Sequence, residues 1–481
     1  MANNNGIKRL IKEVSIMNIL NRYSKEGFMT LLIEGLHGEG KSSSIRAASE
    51  ELGGICITVE GGVLQQGELT GIPLAVKDPV TGDPIFEFIK YPKIADIAYL
   101  EKEIFTKATT EGLLGGDLRY IPEISTVVYK GTEIVEKNRF ERALLRNNNP
   151  YRFGEKLPAE AKMRLINEGE VPLVNLFIDE LNRPEEPIIK EMMNLLLNRE
   201  INGYMLPWWV NVTAAINPAS QDIDYAVSRL DPAQLDRFIK VRLHTDFKDW
   251  VNHSLNTGHD AAAIAALAND PALFGGSSRY ESTEMSPSNR SWSTVLTITE
   301  TLPEALKAPC FSDEDRSHFD EDFRTLICGK VGASAGEAYI NSFNNKETRI
   351  TPEEIFTCKN PGIPEDVVKK FSKQNTIARL CTISMVVSYL NEIYLKLKAD
   401  AASSEKEHAK AKFHNLNCQL KSFIMDHLSG GEQMYINNRM KNPEFLDRQI
   451  FADTACNVFG KDLWAKICET RDEIKHIERG L

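Results

Sequence analysis

The stretch Gly35-Leu36-His37-Gly38-Glu39-Gly40-Lys41-Ser42 decides how the first half of this chain folds. An apolar run, residues 29–34, precedes it, and residues 42–52 follow with a helical pattern that ends at two glycines. Gly38 and Gly40 allow backbone angles that aim successive N–H groups inward, toward phosphate oxygens. The following helix adds the positive end of its dipole. A glycine-rich loop between a strand and a helix predicts a phosphate cradle, the P-loop pattern, formed by Gly35, Gly38, Glu39, Gly40, Lys41, Ser42 and Ser43.

Lys41 and Ser42 are the side chains of this loop with a predicted chemical role. We expect Lys41 to reach the β- and γ-phosphates of ATP, and the Ser42 hydroxyl to bind Mg²⁺. A second apolar run, residues 173–178, ends in Asp179-Glu180. Asp179 is predicted to hold Mg²⁺ through its water shell, and Glu180 to polarise the attacking water. In isolation such a pair also fits an acidic helix start, but the P-loop earlier in the chain favours the magnesium site.

Polar residues also lie beside two apolar runs that occur later in the chain. Asn217 follows residues 210–216 and precedes a proline. It fits either a bridge between the attacking water and the γ-phosphate or an ordinary Asn-Pro turn. Arg237, in Leu235-Asp-Arg-Phe238, stands just before residues 239–243 and by itself also fits a surface salt bridge. The order of these elements along the chain is what favours a catalytic site.

Short apolar runs alternate with helical patterns as far as residue 243, which predicts an α/β domain with a parallel sheet covered on both faces. We assign residues 1–245 to this nucleotide-binding domain. An insertion at about 78–170 explains the long interval between Lys41 and Asp179. Residues 246–400 are helix-rich and are predicted to form a lid domain, and residues 401–481 a helical C-terminal extension.

Composition narrows the class of protein. The chain has 481 residues, 42% of them hydrophobic, and a net charge of −11, which argues against a broad basic face for nucleic acid. The net charge does not argue against a local basic channel inside an assembled ring. The apolar runs are too short to span a bilayer, and no secretory signal pattern follows Met1, so we expect a cytoplasmic protein without membrane insertion. The eight cysteines are scattered singly, which is typical of buried free thiols.

Taken in order, these motifs resemble those of AAA+ ATPases, and within them the MoxR-like branch. The resemblance covers roughly residues 20–360. Its motifs are the loop at 35–42, Gln65-Gln-Gly-Glu-Leu-Thr-Gly-Ile-Pro73, Asp179-Glu-Leu-Asn-Arg183-Pro, Asn217-Pro, Leu235-Asp-Arg-Phe238, Trp250 and Arg290-Ser-Trp292.

The resemblance implies a three-layer nucleotide domain whose five core strands, numbered along the chain, lie in the order 5-1-4-3-2, followed by a helical lid. It implies a ring, most often a hexamer, with ATP bound between subunits. By this analogy Asn217 is the sensor-1 residue, Arg237 the arginine finger for the neighbouring subunit, and Arg290 the sensor-2 residue of the lid. Arg183 and Arg229 compete with Arg237 for contacts across the subunit interface.

Two local patterns have more than one interpretation. Asn202-Gly203 predicts a hairpin turn, and in related ATPases such a hairpin faces the ring pore; for Tyr204 we favour ordinary packing over contact with a substrate chain. Leu428-Ser-Gly-Gly-Glu-Gln433 resembles the signature loop of ABC transporters but follows Asp179 instead of preceding it, so we interpret it as a Gly-Gly helix break.

The leading functional hypothesis is a ring-forming, Mg²⁺-dependent ATPase that remodels or loads a protein partner, by resemblance one with a von Willebrand factor A domain. The alternative is a nucleic-acid-directed AAA+ motor or a GTPase similar to the McrB branch. A nucleotide-gated ring that hydrolyses little is a third possibility, against which the set Lys41, Asp179, Glu180, Asn217 and Arg237 argues.

Overall fold

Strands and helices alternate along the first half of the protein. The computed structural model describes residues 4–20, 28–77, 82–138, 151–218, 228–244, 246–268, 271–274, 287–345, 349–356, 362–400 and 415–441. The chain divides into two compact units, Met1–Asp246 and Phe247–Leu481. The strands are β1 (Leu31–Glu34), β2 (Ile55–Glu60), β3 (Ile72–Lys77), β4 (Pro84–Ile89), β5 (Leu118–Ile121), β6 (Thr126–Tyr129), β7 (Thr132–Val135), β8 (Val174–Asp179), β9 (Glu200–Ile201), β10 (Tyr204–Met205), β11 (Val210–Ile216) and β12 (Ile239–Arg242).

Five of these strands form an all-parallel central sheet, so the predicted α/β class is confirmed. They lie in the order β12-β1-β11-β8-β2. All pairings are parallel. The carboxyl ends of β1, β11 and β8 therefore lie side by side at one edge of the sheet, where ligands bind in open α/β sheets.

Helices of the first unit are α1 (Asn4–Leu20), α2 (Lys41–Glu51), α3 (Pro92–Thr110), α4 (Ala159–Asn167), α5 (Glu186–Asn198) and α6 (Pro232–Leu235). Alternate residues of the strands contribute to two separate apolar clusters. Leu31, Ile33 and Phe177 pack with α1 and α2. Leu32 and Leu176 belong to the larger cluster, which includes residues of α3, α4 and α5. Successive strand side chains point to opposite faces, so the three central strands, β1, β11 and β8, are buried on both faces, whereas the edge strands β2 and β12 are partly exposed.

The predicted insertion contains α3, α4, one small sheet (β5–β7) and strand β4, whose partner β3 ends just before the insertion at Lys77. β3 and β4 form an antiparallel ribbon. β5, β6 and β7 form an antiparallel sheet. Phe105, Tyr120 and Phe153 make the aromatic centre of this part, with ring centroids 5.2–6.2 Å apart. Residues 78–81 and 139–150 of the insertion lie outside the described residues.

A buried polar network fastens α1 to the sheet and to α2. Asn175, a fully buried residue of β8, donates from Nδ2 to Ser49 Oγ of α2 at 2.7 Å. Its Oδ1 accepts from Ser15 Oγ of α1 at 3.3 Å. Asn18 of α1 donates to Asn211 Oδ1 of β11 at 3.1 Å. Asn175 thus joins three elements, β8, α1 and α2.

Every element described in the second unit is helical. Its helices are α7 (Phe247–Asn256), α8 (Ala261–Ala268), α9 (Asn289–Ala305), α10 (Asp313–Ser317), α11 (Phe319–Val331), α12 (Ala333–Phe343), α13 (Pro352–Phe356), α14 (Glu365–Lys373), α15 (Thr376–Asp400) and α16 (Gly430–Lys441), with a further helical segment at 415–427. Trp292 of α9 is fully buried in one of its two apolar clusters. Of the predicted C-terminal extension, residues 401–414 and 442–481 lie outside the described residues.

The Ser429-Gly430-Gly431-Glu432 segment begins a helix. The break in helical structure falls at residues 428–429, and the two glycines are already part of α16. Glu432 Oε2 accepts hydrogen bonds from the amide and hydroxyl of Ser429, both at 2.8 Å. A carboxylate at the third helical position that accepts from the residue before the helix is half of a capping box, so the predicted break is present but lies at residues 428–429, before the glycines. Among the described helices, none is long and apolar enough to cross a membrane.

Candidate functional site

The loop after β1 has the backbone that a phosphate cradle requires. Gly38 and Gly40 adopt φ values of 78° and 88°, in the left-handed region that glycine alone visits freely. α2 begins at Lys41, so its free N–H groups face the loop. A Cβ at Gly35 would lie 2.8 Å from Glu39 Oε2 and 3.2 Å from Leu243 Cβ. A side chain at position 35 would therefore displace the Glu39 carboxylate from its place in the loop.

Lys41 is 8% exposed and its ammonium group lies inside the loop. Nζ donates to the carbonyl oxygens of Gly35 at 2.6 Å and Leu36 at 2.9 Å. It also donates to Asn217 Oδ1 at 2.9 Å. The contact with Asn217 joins the ends of β1 and β11, which are neighbours in the sheet. Lys41 and Asn217, 176 residues apart, are thus brought together at one point.

Ser42 and Asp179 meet at the next strand. Ser42 Oγ donates to Asp179 Oδ2 at 2.5 Å. A hydroxyl and a carboxylate are hard oxygen ligands, which suit Mg²⁺, and Mg²⁺ sites commonly use one or two protein oxygens together with phosphate oxygens. The donor set therefore fits a magnesium–nucleotide complex, with Ser42 and Asp179 as the residues that would hold the ion.

Asn182 forms hydrogen bonds with the backbone of Asn217, a role that the sequence motifs did not predict. Its Nδ2 donates to the Asn217 carbonyl at 2.8 Å, and its Oδ1 accepts from the Asn217 amide at 3.3 Å. Asn182 is 2% exposed. The Asn217 carboxamide is therefore held toward Lys41 by two bonds to its own main chain. The only sequence signal was the position of Asn182 three residues after Asp179.

Glu39 turns its carboxylate back into the loop. Its Oε2 accepts from the Leu36 amide at 2.7 Å. Burial raises the pKa of Glu39, while the Leu36 hydrogen bond and the charges of Lys41 and His244 act in the opposite direction. The side chain of Glu39 thus stabilises the loop conformation, in addition to the main-chain contribution that the sequence predicted.

Glu34, the last residue of β1, pairs with two cations of β12. Lys240 Nζ and Arg242 Nε each lie 2.8 Å from its carboxylate oxygens. Burial acts to raise the pKa of Glu34, but the hydrogen bonds and charges of Lys240 and Arg242 together lower it below 4.5. The pair of β1 and β12 is therefore linked by charge immediately before the cradle.

Glu180 forms an ion pair with Arg183. Arg183 Nη1 donates to Glu180 Oε1 at 2.7 Å and to Oε2 at 2.9 Å. Glu180 has a φ of 52°, an uncommon conformation for a residue with a side chain, and its amide donates to Asp179 Oδ1 at 2.9 Å. The predicted base thus lies beside Asp179, the carboxylate predicted to hold Mg²⁺, and both of its oxygens are engaged by a neighbouring cation.

The remaining predicted arginines lie on exposed surfaces. Arg237 follows α6 and is exposed, and among the described residues it has no ion-pair partner. Arg229 is likewise exposed. Arg290 belongs to the second unit, where it lies in the first turn of α9 behind the capping residue Ser288 and is exposed. The roles of Arg237 as arginine finger and of Arg290 as sensor 2 remain predictions.

The predicted hairpin is confirmed. β9 and β10 pair antiparallel across Asn202 and Gly203, whose φ values of 44° and 80° are those of a two-residue hairpin turn. Tyr204 is 5% exposed, and its hydroxyl donates to Glu101 Oε2 of α3 at 3.0 Å. The favoured interpretation of Tyr204 as a packing residue is therefore confirmed.

Comparison with known proteins yields little. No protein-family model matches the chain, and no curated protein does. One solved structure with some likeness is that of NtrX from Brucella abortus, at 11% sequence identity and a TM-score of 0.26. The match covers 69% of this chain and 63% of the other, so the chain spans less than two thirds of that protein's length. A likeness this distant supports no statement about function.

Proposed function

We propose that this protein is a Mg²⁺-dependent ATPase of the AAA+ type, MoxR-like branch, which works as a ring and couples hydrolysis at subunit interfaces to remodelling or loading of a protein partner. The observation that carries the proposal is the convergence of Lys41 with Asn217 and of Ser42 with Asp179 at the carboxyl edge of one parallel sheet. The strand order of that sheet, β12-β1-β11-β8-β2, agrees with the order expected for AAA+ domains when the core strands are numbered along the chain.

Each residue has a defined task in this proposal. The loop amides and Lys41 bind the phosphates, and Ser42 and Asp179 hold Mg²⁺, which neutralises phosphate charge when bound. Asn217 orients the attacking water, and Glu180 accepts its proton. Arg237, exposed and without an ion-pair partner among the described residues, is the candidate to reach the γ-phosphate of an adjacent subunit.

Complementation between two inactive variants tests both the site and the ring. Lys41→Ala removes phosphate binding but keeps the finger, and Arg237→Ala keeps the site but removes the finger, which we expect to lower turnover by ~10³–10⁵. Mixed rings should recover up to about a quarter of the wild-type rate, because about one interface in four then joins an intact site to an intact finger. Phosphate release with Mg–ATP is the measurement.

Several results would contradict the proposal. Full turnover by Arg237→Ala alone would refute the finger assignment, and absence of recovery in mixed rings would refute action between subunits. Glu180→Gln should retain ATP binding and assembly while losing hydrolysis, as measured by nucleotide binding and light scattering. Faster turnover with GTP than ATP, or strong stimulation by DNA in moderate salt, would favour the nucleic-acid-directed alternative.

A further inference from the structure

Glu39 places a carboxylate inside the candidate phosphate cradle. It lies between Gly38 and Gly40, whose left-handed backbone shapes the loop. Its Oε2 accepts from the Leu36 amide at 2.7 Å, and a Cβ at Gly35 would lie only 2.8 Å from the same oxygen. The carboxylate therefore fills a space within the loop that is free because residue 35 has no side chain.

Lys41 brings its ammonium group to the same part of the loop. Lys41 Nζ donates to the carbonyl oxygens of Gly35 and Leu36, while Glu39 accepts from the amide of Leu36. Burial raises the pKa of Glu39, whereas the nearby charges of Lys41 and His244 act to lower it, so these charges interact across the loop. The carboxylate thus offsets part of the positive charge that Lys41 contributes to the cradle.

A phosphate chain in this loop would meet both charges. Lys41 attracts it, and the Glu39 carboxylate on the same loop repels it. Because Glu39 is half-buried and Lys41 is 8% exposed, water and salt screen these charges less than they would on an open surface. The repulsion grows with the negative charge of the ligand, whereas a role in loop geometry alone would affect all phosphate ligands alike.

We propose that Glu39 sets the nucleotide affinity of the cradle: it is a resident anion that weakens nucleotide binding and penalises the triphosphate more than the diphosphate. This inference rests on the proposed ATPase function and concerns the same loop. The cradle then holds ATP less tightly than Lys41 and the loop amides by themselves would. Preference for ATP over ADP has to come from the residues proposed to reach the γ-phosphate, Asn217 and Arg237, and not from the loop.

Glu39→Gln isolates the charge, since the carboxamide oxygen can still accept from the Leu36 amide. We expect this variant to bind Mg–ADP about 3-fold and Mg–ATP about 10-fold more tightly than the wild type does, because Mg–ATP carries about twice the net negative charge of Mg–ADP and the Coulomb energy is proportional to charge. Glu39→Asp, which keeps the charge, should bind both ligands within about twofold of the wild type. Calorimetry on the full-length protein at low salt measures each Kd.

Glu50→Gln is the matched control, because it removes one negative charge from the helix that Lys41 begins. Glu50 is exposed in the last turn of α2. At a rise of about 1.5 Å per residue it lies about 13 Å along the helix from Lys41, beyond a Debye length of about 8 Å at physiological salt. Its Kd for either nucleotide should stay within about twofold of the wild type. Circular dichroism melting of each variant shows whether it is folded.

Equal or weaker binding of Mg–ATP by Glu39→Gln overturns the inference and limits Glu39 to the geometry of the loop. A gain of the same size for Mg–ADP and Mg–ATP, or an equal gain in Glu39→Asp, also refutes it, since charge then does not set the affinity. Each of these results leaves the ATPase proposal standing if the wild type binds and hydrolyses Mg–ATP. If neither the wild type nor Glu39→Gln binds Mg–ATP, the proposed function fails and the inference fails with it.

Discussion

Replacement of Asn175 by alanine is expected to loosen α1 from the domain. Asn175 is fully buried and joins β8 to Ser15 and Ser49 through two hydrogen bonds, of 3.3 and 2.7 Å. Each buried hydrogen bond contributes about 0.5–1.5 kcal/mol, and a hydroxyl left without a partner costs about 1–3 kcal/mol. The Ser15 hydroxyl is 2% exposed and loses its acceptor, whereas Ser49 still donates to the Ile45 carbonyl at 2.9 Å. Because the orphaned Ser15 hydroxyl costs about 1–3 kcal/mol and the lost bond to Ser49 about 1 kcal/mol, we expect a total loss of about 2–4 kcal/mol.

Hydrogen exchange measured by mass spectrometry can localise this loss. Peptides from α1 and β8 should exchange about 30- to 1000-fold faster in Asn175→Ala, which is the expected loss converted at 1.36 kcal/mol per tenfold. Asn198→Ala is the control, because Asn198 is exposed on α5 and bonds only to Asn194 Oδ1 among the described residues, at 2.6 Å. Its effect should stay within about 0.5 kcal/mol.

A double-mutant cycle that combines Asn175→Ala with Ser15→Ala tests whether the two side chains interact. If Ser15 and Asn175 bond as described, the two substitutions together should cost about 0.5–1.5 kcal/mol less than the sum of their separate effects. Strict additivity, or a loss below about 0.5 kcal/mol in Asn175→Ala, would show that the network does not hold α1 in place.

Three further predictions concern the sheet edge and the site. The folded pKa of Glu34 is lowered below its unfolded value of 4.5, so its contribution to stability is present above pH 4.5 and is lost as the pH falls through the folded pKa. When the free energy of unfolding is measured at decreasing pH, the loss of stability on acidification should therefore be smaller in Glu34→Gln than in the wild type. Asp179→Asn should abolish the dependence of ATP binding on Mg²⁺, measured by calorimetry with and without the ion. Asn182→Ala should lower kcat about 10- to 100-fold with little change in ATP affinity, since it frees the backbone that aims Asn217, and an unchanged kcat would show that the Asn182 bonds do not orient the site.

The strand–loop–helix pattern around Lys41 was predictable because its signals are local. Two glycines with positive φ, a preceding apolar run and a following helix are fixed by residues that are neighbours in the chain. The same holds for the hairpin at Asn202-Gly203, and for Asp179 at the end of a strand. The resemblance to a known family supplied the expected strand order and therefore the expectation that Asn217 lies near Lys41.

Partners of buried polar groups were not predictable in this way. Asn175 bonds to Ser15 across 160 residues and to Ser49 across 126, and which side chains meet depends on the packing of α1 and α2 on one face of the sheet. Even the Glu180–Arg183 pair, only three residues apart, depended on tertiary structure. Its atoms pack against Gly62, in the turn that follows β2, the strand that neighbours β8.

By itself the sequence therefore determined an α/β domain, its glycine-rich loop between a strand and a helix, and the polar residues at its strand ends, because local conformational preferences depend on short stretches of chain. The tertiary structure alone decided which of those residues face one another. Hydrogen bonds and ion pairs need atoms within about 3 Å, and only the order and packing of the strands brings Lys41 to Asn217 and Ser42 to Asp179.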